Sequence, residues 1–271
     1  MSTFSARIEG IGFWTDGLPS WDAARRFCLE GTLPESAPAR PSPQLLAPNE
    51  RRRAPQTVAI ALEVGLAACT AAGRDPATLP SVFTSTHGEL GITDYTCSTL
   101  ASTPRALSPT RFHNSVHNAA AGYWTIGTGA MQPATAISAM QASFAQGLLE
   151  AMVQLASGED SVLLVAYDGS AIGPLGEHAR SQGLLGAGLV LAHESRETGP
   201  VLQVTLEAGP ATVGGGRLHA HASANAMAPM LPFFEALAAG APSRVMLDAG
   251  GGQRLAIALR TGATAMESID A

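Results

Sequence analysis

The chain has no lysine, only 5% aromatic residues, and three cysteines, Cys28, Cys69 and Cys97. With 22 acidic residues against 16 arginines the net charge is -6, and Arg51–Arg53 is the sole basic run, so nothing recommends a nucleic-acid partner. The cysteines form no CxxC pair and no even count, so neither a disulfide framework nor a zinc site is indicated, and buried, reduced thiols are expected. No basic region followed by an apolar run appears in MSTFSARIEGIGFW, which argues against a signal peptide and makes the cytoplasm the expected compartment. Charge is missing locally as well: from Phe112 to Leu149 there is no Asp, Glu, Lys or Arg, in a chain with 14% charged residues. That stretch reads as a buried centre. It is no membrane span, because Asn114, His117, Asn118, Gln132, Pro133 and Gln141 interrupt it too often.

What is present is a closely packed α/β pattern, with 46% hydrophobic residues and 29 glycines. Ala6–Trp14, Pro80–Thr86, Ser161–Ala166, Gly183–His193 and Val201–Glu207 read as strands, with Glu194–Gly199 as a polar turn, and RVMLDAGGGQRLAIALR as strand, turn, strand. Helices are expected over Trp21–Leu29, introduced by Pro19 and Ser20, and around Tyr95–Leu100. A third, over Met227–Ala239, is expected to be strained by Pro232. Val58, Leu62, Leu66 and Cys69 recur at helical spacing before Gly73, predicting a strongly amphipathic helix. Five prolines between Gly31 and Asn49 predict an irregular connection.

Within the uncharged stretch, PATAISA reads as a strand and QASFAQGLLEAMVQLASGE as a helix with Phe144, Leu148, Met152 and Leu155 on one face. Between them lies Met140-Gln141-Ala142-Ser143, at a strand-to-helix turn of the kind on which α/β enzymes mount a nucleophile. Asn114, Ser115, His117 and Asn118 hold a tight turn or line a pocket, since buried polar groups need partners. Ser143 has no neighbouring base and reads as a helix cap, and Cys97 as a buried inert thiol. His113 and His117 have the i, i+4 spacing of metal ligands but lack a third ligand, so no metal site is expected. Gly214–Gly216 and Gly250–Gly252 match no phosphate-loop pattern and read as tight turns.

HNSVHNAAAGYWTIG resembles the Asn-Ser-Val-x-Asn-Ala-Ala-Ala-Gly segment of β-ketoacyl synthases, and the strand-turn-helix ending in Ser157-Gly158-Glu159 resembles their nucleophile elbow. RRRAPQTVAIALEVGLAACTAAG is similar to the family's Arg-Arg-rich helix, GLLGAGLVLAH to its Gly-Ala-Gly-Ala hairpin, and Asp248–Gly252 stands where its terminal Gly-rich hairpin turns. The resemblance implies a thiolase-like layered αβαβα fold as one domain over 1–271. Residues 1–178 would form the N-terminal half, and 179–271 an abbreviated C-terminal half. Counting back from Ser157-Gly158-Glu159, the family's reactive cysteine falls on Gln141, and Met140, Ala142 and Ser143 are not cysteines either. The family's His-Gly-Thr-Gly-Thr motif is absent. His219 and His221 lie roughly where a second histidine motif falls, and stand either there or as loop histidines.

A condensing enzyme needs a thiolate to carry the acyl chain and imidazoles to stabilise an enolate. The resemblance therefore implies a non-catalytic chain-length factor in a heterodimer with a catalytic β-ketoacyl synthase. That partner would supply the cysteine and both histidines and receive substrate from an acyl carrier protein, with no cofactor. Tyr123, Trp124, Met140, Gln141 and Phe144 are then candidates for the acyl tunnel or interface, with core packing an equal account of Tyr123 and Trp124. Short family members of this kind are similar to those of aryl polyene or xanthomonadin-type pigment synthesis. The alternatives are an autonomous acyl-thioester hydrolase or acyltransferase using Cys97 or Ser143 with a histidine, or a homodimeric acyl-binding protein.

Overall fold

The computed structural model describes residues 3–193, 199–212 and 214–261. In chain order the elements are β1 (Thr3–Thr15), α1 (Trp21–Glu30), α2 (Pro48–Arg53), α3 (Gln56–Ala72), β2 (Ser81–Thr84), α4 (Leu90–Ser102), α5 (Pro109–His113) and α6 (Ala119–Thr128). There follow β3 (Ala134–Ile137), α7 (Ser143–Ala156), β4 (Ser161–Asp168), β5 (Leu185–Ala192), β6 (Val201–Ala208), α8 (Arg217–Ala222), α9 (Leu231–Ala239), β7 (Ser243–Gly250) and β8 (Gln253–Arg260). Most of the expected polar turn before Gly199 lies outside the described residues.

Eight strands form one mixed sheet in the order β3-β2-β4-β5-β1-β6-β8-β7. β2 runs parallel to β3 and β4, and the remaining pairings are antiparallel. The length of β1 joins the two ends of the sheet: Arg7–Thr15 pair with β5 and Thr3–Arg7 with β6. β4 is buried on both faces, as its unbroken apolar run predicts. Its Val162, Leu164 and Ala166 enter a core with Leu148, Met152, Phe233 and Phe234. Leu163, Val165 and Tyr167 enter a second core with Ile60, Val64 and Trp124.

Those two cores set the layers. α3 and α6 cover one face of the N-terminal strands; α7 and α9 cover the other, with α7 touching β4 and β2 on one side and β7 on the other. Beyond them β7 alternates buried Val245, Leu247 and Ala249 with the more exposed Arg244, Met246 and Asp248, so among the described residues its outer face carries no covering element.

α3 departs from the expected amphipathic stripe. Val58, Ala59, Ile60, Ala61, Leu62, Val64, Gly65, Ala68 and Cys69 are all buried, because the helix lies between the sheet and α6 rather than on the surface. Close approach of its backbone to the sheet depends on a cross-strand glycine pair, Gly12 opposite Gly188. A Cβ on either would come within 2.0 Å and 2.4 Å, respectively, of the Val64 carbonyl oxygen. The GLLGAGLVLAH glycine is thus a packing device.

Local signals end the helices where the sequence predicts. Ser20 Oγ accepts the Ala23 N–H at the start of α1, and Gly31 closes it in the left-handed region at φ 77°. Pro232 imposes no strain, contrary to expectation, because α9 begins at Leu231 and the proline falls in its first turn; Pro229 lies in the preceding 3₁₀ turn at residues 228–230. No described helix is long and apolar enough to cross a membrane.

Candidate active-site elbow and its clefts

β3 leads into the turn and α7 leaves it. Ala134–Ile137 run parallel to β2, residues 140–142 make a 3₁₀ turn, and α7 starts at Ser143. Met140, at φ 53°, is the one non-glycine in the left-handed region among the described residues. A bulky residue held there stores strain, and such strain collects at functional turns. Its side chain is 66% exposed, and Gln141 beside it is exposed as well.

The turn is held by hydroxyls. Ser143 Oγ donates to the Met140 carbonyl (2.6 Å) and accepts the Ala139 N–H (3.0 Å), while Thr86 Oγ1 donates to the same Met140 carbonyl (3.2 Å). Thr84 Oγ1 reaches the Ser143 carbonyl (2.7 Å), and Ser138 Oγ the Thr86 carbonyl (3.0 Å). Ser143 is 1% exposed with its hydroxyl committed at both ends, so it ties the turn and presents no free nucleophile.

Sequence reasoning missed the group beneath this turn. Asp168, at the end of β4 and wholly buried, accepts from Ser85 Oγ (2.7 Å), Thr86 N (2.9 Å) and His87 N (3.2 Å). Asn225 Nδ2 donates to its carbonyl (3.3 Å). The carboxylate thereby fixes the segment after β2, whose Thr86 in turn grips Met140. Its signal was legible: an Asp directly before Gly169, closing an otherwise apolar strand. Burial pushes the Asp168 carboxyl above its ordinary value, against the lowering effect of the Ser85, Thr86 and His87 bonds. The folded chain therefore holds this proton more tightly than the unfolded chain, and the associated stability is present at low pH and lost as pH rises through the folded value. Urea midpoints of wild type and Asp168→Asn, measured from acid to neutral pH, should shift progressively in favour of the variant. A shift towards wild type would show that the hydrogen bonds outweigh burial.

Two clefts open onto the turn. One, of about 930 Å³, is lined by Thr86, His87, Met140, Gln141, His178 and His219 among others; its neighbour, of about 440 Å³, shares Gln141 and His219. Thus Met140, Gln141 and His219 come together, and His219 Nδ1 is buried with no hydrogen-bond partner among the described residues. His221 points elsewhere, with Nε2 against the Asp16 carbonyl (2.7 Å) and its ring beside Phe27. Phe144 lies in the core against Phe233 and Phe234, with centroids 5.6 and 5.9 Å away. Trp124, 0% exposed, packs on Phe83 in the other core, and Tyr123 is partly buried beside it.

Asn114 is buried, and residues 114–118 form the turn between α5 and α6. α5 stops at His113, so His113 and His117 do not share a helix face; His117 Nε2 instead contacts the Ser85 carbonyl at 2.9 Å. No cluster of metal-ligating side chains occurs among the described residues. The buried-thiol expectation holds for Cys69 and fails for Cys97, which is exposed on α4 because that helix buries only Thr99. Desolvation pushes the Cys69 thiol up to about 12; desolvation and then Glu235 push Cys28 up to about 11, so both stay protonated and inert.

The family model for the β-ketoacyl synthase N-terminal domain matches residues 21–245. No curated protein matches the chain. Among solved structures, it is similar to a ketosynthase in complex with its chain length factor from Xenorhabdus doucetiae, at TM-score 0.72 and 23% identity over 94% of this chain and 99% of that one. The ishigamide ketosynthase/chain length factor is similar at TM-score 0.73 and 16% identity, over 96% of this chain and 100% of that one. A type II polyketide synthase acyl-carrier protein in complex with its ketosynthase gives TM-score 0.72 at 11% identity, over 96% and 100%. These likenesses show a shortened thiolase-like fold, and the chain belongs to the β-ketoacyl synthase family.

Proposed function

We propose that this chain is a non-catalytic chain-length factor, the partner of an active β-ketoacyl synthase in carrier-protein-dependent chain elongation of the polyene, polyketide or fatty-acid type. The carrying observation is the elbow: a strained, hydroxyl-tied strand-to-helix turn that presents Met140 and Gln141 where a nucleophile would stand. Neither side chain forms an acyl thioester, and Ser143 is occupied in the turn. Cys97 makes no hydrogen bond to a histidine among the described residues, which leaves the autonomous hydrolase or acyltransferase without an assembled dyad.

A second feature supports a partner. β3 is an edge strand, and near it Ile126 is 83% and Met131 95% exposed. Unpaired strand edges beside large apolar side chains are sites of association. We assign this edge to the synthase. Within the family, the aryl polyene or xanthomonadin-type pathway remains our choice on the Asn-Ser-Val-x-Asn-Ala-Ala-Ala-Gly and elbow segments.

In this reading Met140 and Gln141 are the tunnel-side residues, while Trp124 and Phe144 hold the frame behind them. Gln141→Trp in the reconstituted pair should shorten the product without changing the chain's solubility, as read by mass spectrometry of carrier-bound chains. A change confined to solubility, with product length constant, would count against a tunnel role.

A further inference from the structure

The elbow is tied to the end of β2 through Ser85 and Thr86, the pair that follows the strand. Every polar group of the pair is engaged. Ser85 donates its N–H to the Ile137 carbonyl (3.2 Å) and its hydroxyl to Asp168 (2.7 Å), and that hydroxyl accepts the Gly88 N–H (2.8 Å). Thr86 donates its N–H to Asp168 (2.9 Å) and its hydroxyl to the Met140 carbonyl (3.2 Å), while its own carbonyl accepts from Ser138 Oγ (3.0 Å).

The Ser85 carbonyl is held from another part of the fold. Its partner is His117 Nε2 at 2.9 Å, in the turn between α5 and α6. Facing a carbonyl, Nε2 carries the proton, because two acceptors do not pair. Ser85 is 0% exposed, so loss of this donor leaves a buried acceptor unpaired, a state that native structures seldom keep. The imidazole also lies over Gly88, where an added Cβ would stand 3.6 Å from His117 Cδ2.

We propose that His117 is a positioning residue for the elbow, holding Ser85 from the α5–α6 turn and, through Thr86, the Met140-Gln141 turn. Removal of the imidazole frees the segment after β2 to shift away from β3, and Thr86 then releases the Met140 carbonyl. If Met140 and Gln141 are tunnel-side residues, His117 is also a determinant of product length. That consequence rests on the chain-length reading; the tether does not.

Hydrogen–deuterium exchange of the full chain, co-purified with a synthase if needed, reads the tether directly. The reporting amides are those of Ala139, Ala142 and Ser143, which donate to Ser143 Oγ and to the Ala139 and Met140 carbonyls. In His117→Ala they should exchange about fivefold faster or more, while amides of β5 keep their wild-type rates and show that the fold is intact. His117→Gln, whose side-chain N–H reaches as far as Nε2–H, should return them to within about twofold of wild type. Val116→Ala, in the same turn but on a side chain 51% exposed, should leave them unchanged. In a reconstituted pair His117→Ala should broaden the distribution of product lengths and His117→Gln should not. Wild-type exchange at the elbow of His117→Ala overturns the proposal, as does equal acceleration in His117→Gln or Val116→Ala. Faster exchange with product length constant upholds the tether and counts against the tunnel reading alone.

Discussion

Ala136→Pro should abolish co-purification with a ketosynthase while leaving this chain folded. In β3 the Pro133 and Ile137 carbonyls accept from Ser81 N (3.0 Å) and Ser85 N (3.2 Å), so odd-numbered residues face β2. By the alternation of a parallel ladder, the N–H groups of Ala134 and Ala136 face outward from the free edge. Proline at 136 removes an outward donor and puts a ring where a docking strand would lie, at no cost to the internal ladder. Thr135→Pro, one residue away, removes an inward donor and should destabilise the chain itself. Natural edges are commonly blunted by lysine or other charge. This protein has no lysine, and its edge strand reads Ala-Thr-Ala-Ile within the charge-free stretch, an edge left fit for a partner. Pull-down recovery and mass-resolved size exclusion read both variants; undiminished complex with Ala136→Pro would place the interface elsewhere.

Phe144→Ala should cost about 3–5 kcal/mol of stability, the usual range for a buried aromatic truncated to a methyl group. The ring is 2% exposed and meets Phe233 and Phe234 where α7 packs on α9. Gln141→Ala, three residues earlier but exposed, should change stability by less than about 0.5 kcal/mol. Urea unfolding of the two variants separates frame from cleft. If Phe144→Ala unfolded like wild type and instead lengthened the product, Phe144 would be a tunnel wall and the placement of the aromatic core would be wrong.

Much of this architecture was legible because it rests on local rules. The apolar run of β4, the Ser20 cap, the terminating Gly31 and Gly73 and the helical face of Phe144, Leu148, Met152 and Leu155 each follow from a few adjacent residues. What escaped depends on neighbours distant in sequence. α3 looked like a surface helix because periodicity cannot reveal a second layer, here α6, on its far side. Cys97 was placed in the core on residue type alone, whereas α4 leaves it to solvent. Asp168 needed the segment after β2 to show its purpose. At the elbow, counting from Ser157-Gly158-Glu159 selects Gln141, while the strained backbone lies at Met140. Neither position carries a thiol, so the functional reading is the same for both.

The most direct test is co-expression with a ketosynthase carrying an intact cysteine and both histidines, then mass-resolved size exclusion and an elongation assay with and without this chain. A one-to-one complex is expected, with activity that requires this chain and persists when Cys97, Gln141 and Ser143 are each replaced by alanine. A lone, stable protein that turns over acyl thioesters and loses that activity with Cys97→Ala or Ser143→Ala would contradict the account.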